Sequence, residues 1–333
     1  MKKIYKSIVT GGAGFIGSNL VDHLVKNNHK VVVVDNFSTG RRSNLSHIKN
    51  KIKILNIDIS KEKNLEKHFK NIDYIFHLAG LADIVPSIEN PKKYFDTNVV
   101  GTINILNAIK NSKIKKLVYA ASASCYGQPK EFPTSEKARI SPMYPYAFTK
   151  WQGEELIKHW SKVYNLPFMS LRFFNAYGPR SRTTGAYGAV FGVFLAQKLF
   201  NKPLTIVGNG NQTRDFIHVY DLVEGILKAA HSKIKNQIYN IGGGKKISVN
   251  KIANLISKKK TYIPKRPGEP DRSLANISKI KRDLNWKPKI KINVGVRELI
   301  KNIKYWRDAP IWTPKKIKKA TKDCCLDFLE IKE

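Results

Sequence analysis

The stretch Ile8-Val9-Thr10-Gly11-Gly12-Ala13-Gly14-Phe15-Ile16-Gly17 decides the fold of this chain. Its first three residues predict a strand, and the amphipathic run 18–25 that follows predicts a helix. Gly11 allows a tight turn, Gly14 lets the backbone approach a pyrophosphate at the positive end of the helix, and Gly17 lets the helix pack close to the sheet. The order of strand, glycine loop and helix therefore predicts a dinucleotide site.

A second strand-like run, Lys30-Val31-Val32-Val33-Val34, ends in the acid Asp35. Asp35 lies roughly 20 residues past the glycines, where a carboxylate can hydrogen-bond the 2′-hydroxyl of an adenosine ribose. The same carboxylate would repel a 2′-phosphate, so the pattern favours NAD over NADP. The competing interpretation is that the glycines serve only a tight turn, and the acid counts against it.

Length and composition exclude several classes of protein. The 333 residues are enough for one large or two modest domains. No run of about 18 apolar residues is present, and the start has no signal peptide, so we expect a soluble, cytoplasmic protein without membrane insertion. The three cysteines and eight histidines show neither a disulfide framework nor the spacing of metal ligands. We therefore expect no metal.

The formal net charge of +35 raises the question of a nucleic-acid or anionic membrane partner. The lysines are spread along the whole chain, however, and no RNA-binding or DNA-binding signature lies among them. Only the run Lys315-Lys316-Ile317-Lys318-Lys319 is dense, and a solvated helix face is the simpler interpretation. We expect no specific nucleic-acid partner.

Strand-like and helix-length segments alternate through the first half of the chain. The predicted strands include 52–57, 74–78, 117–121 and 168–173, and the predicted helices include 97–111 and 146–164. This alternation predicts an α/β fold with a Rossmann-like, doubly wound parallel sheet. Ligands of such a sheet gather at the carboxyl ends of its strands.

Beyond about residue 175, glycine-rich and proline-rich turns separate short elements. We therefore expect an NAD-binding Rossmann domain over 1–175 and a smaller mixed α/β substrate lobe over 176–306, with possible returns to the sheet. A basic C-terminal tail covers 307–333.

Tyr146 and Lys150 lie four residues apart in the predicted helix 146–164, and Ser122 lies near the end of a predicted strand. Residues one helical turn apart project from the same face. Because a nearby ammonium favours the phenolate, Tyr146 is a candidate catalytic base. The pattern alone is weak, since a Tyr packed on a solvated Lys stem has the same spacing.

Several motifs occur here in the order seen in a known family. They are 10–17, Asp35-Asn36-Phe37-Ser38, His77-Leu78-Ala79-Gly80, Ser122-Ala123-Ser124-Cys125-Tyr126-Gly127, Tyr146 to Lys150, Phe173-Phe174-Asn175 and Thr213-Arg214-Asp215-Phe216. The chain resembles the extended short-chain dehydrogenase/reductases over roughly residues 4–306, and within them it resembles the UDP-hexose 4-epimerases.

The resemblance implies a redox-neutral reaction with NAD as a resident cofactor. Tyr146 as phenolate removes the proton of the sugar 4-hydroxyl, Ser122 hydrogen-bonds the same oxygen, and the C4 hydride passes to the nicotinamide. The 4-keto sugar turns over and takes the hydride back on its other face, which inverts C4. Lys150 keeps Tyr146 ionised and binds the nicotinamide ribose.

The resemblance also implies a set of site residues, with Ser122, Tyr146 and Lys150 catalytic. Those assigned to NAD are Gly11, Gly14, Phe15, Ile16, Gly17, Asp35, Asn36, Ser38, Asp58, Ile59, Ala79, Gly80, Asn98, Tyr146, Lys150 and Phe174. Those assigned to the UDP-sugar substrate are Ser122, Ser124, Tyr146, Asn175, Arg214, Arg266, Glu269 and Ser273.

Two positions bear on which reaction and which sugar the resemblance implies. Related 4,6-dehydratases carry an Asp-Glu pair just after the catalytic Thr and decarboxylases carry a Glu, whereas this chain has Ala123-Ser124-Cys125. Ser273 stands where members restricted to UDP-glucose and UDP-galactose have a bulky Tyr. A small residue there leaves room for an N-acetyl group, so we expect activity on UDP-GlcNAc and UDP-GalNAc as well.

Other interpretations stay open at this stage. Some epimerases have a Lys after the motif 77–80, where this chain has Leu81-Ala82-Asp83. If Asp83 faces the sugar instead, a substrate such as a uronic acid or a modified hexose stays open. The alternatives are another NAD-dependent nucleotide-sugar oxidoreductase and a non-catalytic NAD-binding scaffold. The family commonly pairs two long helices, so we expect a homodimer through a four-helix bundle of 97–111 and 146–164.

Overall fold

The structure is a computed structural model that describes residues 3–181, 190–264, 270–314 and 316. Its strands are β1 (Tyr5–Thr10), β2 (His29–Asp35), β3 (Ile52–Asn56), β4 (Tyr74–His77), β5 (Lys116–Ser122), β6 (Phe168–Phe173), β7 (Asn175–Tyr177), β8 (Leu204–Val207), β9 (Thr213–His218), β10 (Gln237–Ile241), β11 (Lys246–Ser248) and β12 (Lys260–Ile263). Its α-helices are α1 (Phe15–Lys26), α2 (Ile84–Glu89), α3 (Pro91–Phe95), α4 (Gly101–Ile109), α5 (Pro145–Tyr164), α6 (Val190–Leu199), α7 (Val219–His231), α8 (Val249–Ile256), α9 (Ser278–Leu284) and α10 (Ile292–Lys301).

A parallel sheet forms the centre of the described molecule, with seven strands in the order β10-β6-β5-β4-β1-β2-β3. The chain runs outward from β1 to β3 and then returns on the other side of β1 through β4. Reversal of this kind opens a crevice at the carboxyl ends of the strands. The predicted Rossmann-like, doubly wound sheet is confirmed, and β10 adds a late strand beside β6.

Alternate residues of the strands point to opposite faces of the sheet, and each face has its own apolar core. Val9 packs with Leu20 of α1 and Leu222 of α7 on one face. Ile8 packs with Ile105 of α4 and Ile157 of α5 on the other. Because both faces are covered, the strands are mostly apolar, which is why they could be recognised in the sequence, although some carry buried polar residues such as Ser7 and Ser170.

The structure matches one of the two predicted helices more closely than the other. Helix α5 begins at Pro145, whose fixed φ suits the first helical turn, and ends before Asn165, which adopts a left-handed φ of +54°. The predicted helix 97–111 begins instead with a π-helical turn, Asp96–Val100, and continues as α4 only to Ile109. Such widened turns commonly occur at functional sites.

A smaller set of elements lies against the carboxyl ends of the strands. It contains a three-stranded sheet in the order β11-β9-β7, a two-stranded sheet of β8 and β12, and the helices α6, α8 and α10. Phe194, Leu204, Ile252, Leu299 and Trp306 are among the residues of its apolar core. Within the described residues, no helix is both long and apolar enough to cross a membrane.

Candidate active site

A cavity of about 740 Å³ lies at the carboxyl ends of the central strands, between the glycine loop and β9. The predicted site residues that line it are Gly11, Gly14, Phe15, Ile16, Gly17, Asp35, Asn36, Ser38, Asp58, Ile59, Ala79, Gly80, Ser122, Ser124, Tyr146, Lys150, Phe174, Asn175, Arg214 and Ser273. Arg266 and Glu269 fall outside the described residues. Asn98 is described but is not part of the wall.

Ser122, Tyr146 and Lys150 all line this cavity. The Tyr146 hydroxyl donates a hydrogen bond of 3.0 Å to Oγ of Ser122. The Oγ atoms of Ser122 and Ser124 are 2.7 Å apart, and the Ser124 N–H donates to Ser122 Oγ at 3.2 Å. The buried Lys150 ammonium lies 4.2 Å from the ring centre of Tyr119. The hydroxyls of Tyr146 and Ser124 thus converge on Ser122 Oγ. The buried Lys150 ammonium lies on the same face of α5 as Tyr146.

Burial and hydrogen bonding act on the pKa of Tyr146 in opposite directions. Burial raises the pKa of Tyr146, hydrogen bonds with Ser122 and Ser124 lower it, and the charge of Asp83 raises it. The role of Lys150 in keeping Tyr146 ionised stays a prediction. Burial also lowers the pKa of Lys150 to about 7, although the Glu154 carboxylate acts in the opposite direction. A bound ligand that brings positive charge beside Tyr146 would favour the phenolate.

The glycine loop has the shape that a pyrophosphate requires. Gly11 has a φ of +70°, and a Cβ on it would lie 2.7 Å from the backbone nitrogen of Ala79. A Cβ on Gly17 would collide with the Gly11 carbonyl oxygen. Gly14 precedes α1 without a side-chain cap, and Phe15 and the residues after it open onto the cavity. The first turn of α1 therefore presents backbone N–H groups and the positive helix end to an anion.

The carboxylates of Asp35 and Asp58, at the end of β2 and just after β3, line the cavity near the glycine loop. Asp35 accepts hydrogen bonds from the N–H groups of Ala13, at 2.9 Å, and Phe37, at 2.8 Å, and burial raises its pKa. Asp58 is more exposed. Burial acts to raise the pKa of Asp58, but hydrogen bonds from Ser60 and Asn36 outweigh it, so the pKa is lowered overall. Both acids line the cavity at the position where the sequence predicts the adenosine half of NAD.

Asn98 lies behind the residues that line the cavity. It is buried in the π-helical turn, where its Oδ1 accepts a hydrogen bond of 2.8 Å from the Leu81 N–H. Its Nδ2 donates to the Leu81 carbonyl at 3.1 Å and to Thr149 Oγ1 at 3.0 Å. Asn98 therefore fixes the loop after β4, which carries Ala79 and Gly80, rather than facing the cavity itself.

Strand β9 and the segment 270–273 form the opposite wall. Arg214 lines the cavity, and its Nη1 donates a hydrogen bond of 3.0 Å to the Thr213 carbonyl. Ser273 lies beside it, because the Ser273 N–H donates to the Thr213 carbonyl at 3.1 Å. Asn175, at the start of β7, donates from Nδ2 to the Asp215 carbonyl at 3.4 Å. A cation, a small hydroxyl and an amide thus face the hydroxyls of Ser122 and Tyr146 across the cavity.

Comparisons with known proteins agree with this geometry. A family model described as GDP-mannose 4,6 dehydratase matches residues 8–299. A putative UDP-glucose 4-epimerase of Methanocaldococcus jannaschii is 38% identical over 302 aligned residues, which cover 88% of this chain and 96% of that protein. The chain belongs to the extended short-chain dehydrogenase/reductase family.

Solved structures of this dehydrogenase/reductase family share the whole fold. A UDP-N-acetylglucosamine 4-epimerase from Methanobrevibacter ruminantium, in complex with UDP-N-acetylmuramic acid, has a TM-score of 0.86 and 34% identity, and the match covers 91% of this chain and 98% of that one. A UDP-glucuronic acid 4-epimerase from Bacillus cereus, in complex with UDP-glucuronic acid and NAD, has a TM-score of 0.84 and 33% identity, with 90% and 99% covered. These relatives share an epimerase name and differ in the sugar.

Sequence reasoning missed a buried ion pair behind the family's Tyr-x-x-x-Lys motif. Glu154 lies one helical turn after Lys150, and its carboxylate accepts hydrogen bonds from the Arg172 guanidinium and, at 2.6 Å, from Ser170 Oγ. Arg172 also donates to the hydroxyl of Tyr126 at 2.9 Å. The spacing of Glu154 from Lys150 was visible in the sequence, but its partner on β6 is a property of the fold.

Proposed function

We propose that this protein is an NAD-dependent UDP-hexose 4-epimerase, which inverts C4 through a transient 4-keto sugar. The observation that carries the proposal is the 3.0 Å hydrogen bond from Tyr146 to Ser122, in one cavity with Lys150 and the glycine loop. Membership of the extended short-chain dehydrogenase/reductases supports it, as do relatives named as 4-epimerases.

NAD fits the residues that would hold it. The N–H groups at the start of α1 suit its pyrophosphate, and Gly14 leaves no side chain in the way. Asp35 and Asp58 would accept hydrogen bonds from the adenosine half, and Lys150 would bind the ribose next to the nicotinamide. When bound, NAD would supply the hydride acceptor and donor, together with positive charge that favours ionised Tyr146.

The protein's own groups would handle the proton. Tyr146 and Ser122 would hold the 4-hydroxyl oxygen of the sugar between them, because their oxygens are only 3.0 Å apart. Tyr146 takes the proton as C4 is oxidised and returns it to the same oxygen after the ketone has turned over. Ser124 would keep the Ser122 hydroxyl oriented through the 2.7 Å contact of their Oγ atoms.

The opposite wall would hold the rest of the substrate. Arg214 suits the diphosphate, since a guanidinium can bind phosphate oxygens two at a time. By resemblance, Arg266 and Glu269 contribute to the same part of the site. Asn175 would contact the diphosphate or the sugar. The small Ser273 on this wall supports acceptance of UDP-GlcNAc and UDP-GalNAc beside UDP-glucose and UDP-galactose.

The sugar-facing wall favours epimerisation. The stretch Ala123-Ser124-Cys125 carries no carboxylate for elimination or decarboxylation. Asp83 also lines the cavity, and its charge raises the pKa of Tyr146, so this carboxylate lies near the phenol that would hold O4.

Incubation of the purified protein with UDP-GlcNAc or UDP-glucose, without added NAD, tests the proposal. We expect the C4 epimer of each sugar. A product lighter by water or carbon dioxide would instead identify a dehydratase or decarboxylase. No reaction with any UDP-sugar, with NAD bound, would identify a non-catalytic scaffold.

We also propose that two copies pair through the segments 97–111 and 146–164. Val100, in the π-helical turn before α4, and Val163, on α5, support this, because they are 39% and 55% exposed. A Val100→Glu, Val163→Glu double variant should have a smaller size in solution than the unaltered protein. An unchanged size would rule out this pairing.

A further inference from the structure

The Asp215 side chain is a fully buried carboxylate in the wall opposite Tyr146. Its Oδ1 accepts hydrogen bonds from the N–H groups of Gly243, at 2.5 Å, and Gly244, at 3.1 Å. Its Oδ2 accepts from Gly244 at 3.0 Å and from Ala275 at 2.9 Å. One side chain therefore joins three segments that are far apart in sequence: β9, the glycine turn 242–244 and the segment 271–276.

Two of these segments carry the residues proposed to bind the UDP-sugar. Arg214 precedes Asp215 on β9, and alternation along a strand places it on the opposite side, where it lines the cavity. Ser273 lies two residues before Ala275, and backbone hydrogen bonds between Thr213 and residues 271 and 273 hold this segment beside β9. A shift of Asp215 would therefore move both β9 and the segment 271–276, which together form the substrate side of the cavity.

We propose that Asp215 is a positioning residue, which holds Arg214 and Ser273 in the geometry that binds the diphosphate and sugar of the substrate. This inference rests on the proposed function for its choice of ligand. Asp215 itself contacts no substrate, because it is fully buried behind the wall.

The position requires a carboxylate. Three N–H donors converge on two acceptor oxygens, and both oxygens are used. An Asn would offer one acceptor and would turn its NH2 group toward the remaining donors, leaving buried N–H groups unsatisfied.

A matched control separates positioning from plain stability. Asp221 is also a buried carboxylate, and its Oδ2 accepts hydrogen bonds from the N–H groups of Lys289, at 3.0 Å, and Ile290, at 2.8 Å. It is not among the residues that line the cavity. Asp221→Asn weakens hydrogen bonds of the same kind without touching the substrate walls, because the amide oxygen that can replace Oδ2 carries no charge.

The test compares Asp215→Asn and Asp221→Asn in the full chain with NAD bound. The readouts are the Kd for UDP by calorimetry, kcat and KM for UDP-GlcNAc, NAD content and Tm. For Asp215→Asn we expect Kd and KM to rise roughly 10-fold to 100-fold, as misplaced binding groups cause, with kcat and NAD content little changed. For Asp221→Asn we expect a lower Tm with unchanged Kd and KM.

An unchanged Kd for UDP in Asp215→Asn, or an equal rise in Asp221→Asn, would overturn the inference. If Asp215→Asn does not fold, Asp215→Ser decides by the same criteria, because its hydroxyl can accept a hydrogen bond without presenting an amide donor. Tight UDP binding by the unaltered protein without epimerisation would reject the proposed function alone, and the Kd comparison would still judge Asp215.

Discussion

Glu154 lies one turn beyond Lys150 on α5, and its carboxylate raises the pKa of Lys150 against the lowering effect of burial. The same carboxylate forms a buried ion pair with Arg172 on β6. One side chain thus connects the charge of Lys150 to the packing of the helix on the sheet. The proposed role of Lys150 as a cation depends on this arrangement.

Glu154→Gln should therefore change both stability and the pH dependence of the reaction. Breaking the buried pair should cost about 3–5 kcal/mol of unfolding free energy. The pKa of Lys150 should fall below its value of about 7, so the loss of kcat with rising pH should begin at a lower pH. Urea unfolding and a kcat–pH profile measure the two effects. The control is Glu155→Gln, since Glu155 pairs at the surface with Lys158 and should affect neither.

Tyr146→Phe should remove the proton acceptor while leaving both binding sites intact. We expect kcat to fall roughly 10²-fold to 10⁴-fold, which is the usual contribution of general acid–base catalysis. NAD content and the Kd for UDP should stay as in the unaltered protein. Ser122→Ala should have a smaller effect in the same direction. A Tyr146→Phe enzyme that keeps most of its kcat would show that another group takes the proton.

Ser273→Tyr tests the room beside the sugar. The larger ring should exclude an N-acetyl group, so we expect kcat/KM for UDP-GlcNAc to fall roughly 10-fold to 100-fold, with little change for UDP-glucose. Ser273→Ala, which adds no bulk, serves as the control and should retain both activities. Equal activities on the two sugars before and after the change to Tyr would reject Ser273 as the selecting residue.

Buried histidines should make the protein sensitive to mild acid. Burial lowers the pKa of His29 from 6.5 to about 4, with help from the charge of His231, and burial lowers the pKa of His77 to about 3. The folded state thus favours the neutral rings, so their contribution is full above pH 6.5 and is lost as the pH falls toward 4. The unfolding free energy should drop over this range, by an amount on the order of 1–3 kcal/mol for His29.

His29→Gln should flatten this pH dependence, and denaturant midpoints between pH 4 and 7 would measure it. His159→Gln is the control, because His159 is exposed on α5. An identical slope for the His29 variant and the unaltered protein would refute the role of His29.

The parts of the molecule that sequence could predict are those set by local pattern. The strand Phe168–Phe173 was predicted to the residue, and the glycine loop was recognised from its spacing. The glycine loop is predictable because a tight turn near a phosphate requires glycine. The strand is predictable because four of its six residues are apolar, although the buried Ser170 and Arg172 interrupt the run.

The parts that sequence could not predict depend on tertiary contacts. Sequence analysis predicts possible returns to the sheet but identifies no segment that makes them. The structure shows that β10 is such a return, because the chain crosses back to the sheet after several of the smaller elements. Asp215 belongs to the recognised motif 213–216, but the three backbone N–H groups that donate to its carboxylate come from segments that are distant in sequence. The burial that raises the pKa of Tyr146 also depends on tertiary contacts, because the spacing of Tyr146 and Lys150 does not show it.

Isotope retention at C4 tests the proposed reaction. UDP-GlcNAc with deuterium at C4 would be converted in ordinary water by the protein with its bound NAD, and the product examined by NMR and mass spectrometry. We expect UDP-GalNAc that keeps its deuterium at C4, because the same hydrogen leaves and returns as hydride. A product that has exchanged this deuterium for solvent hydrogen, or no C4 epimer, would refute the proposal.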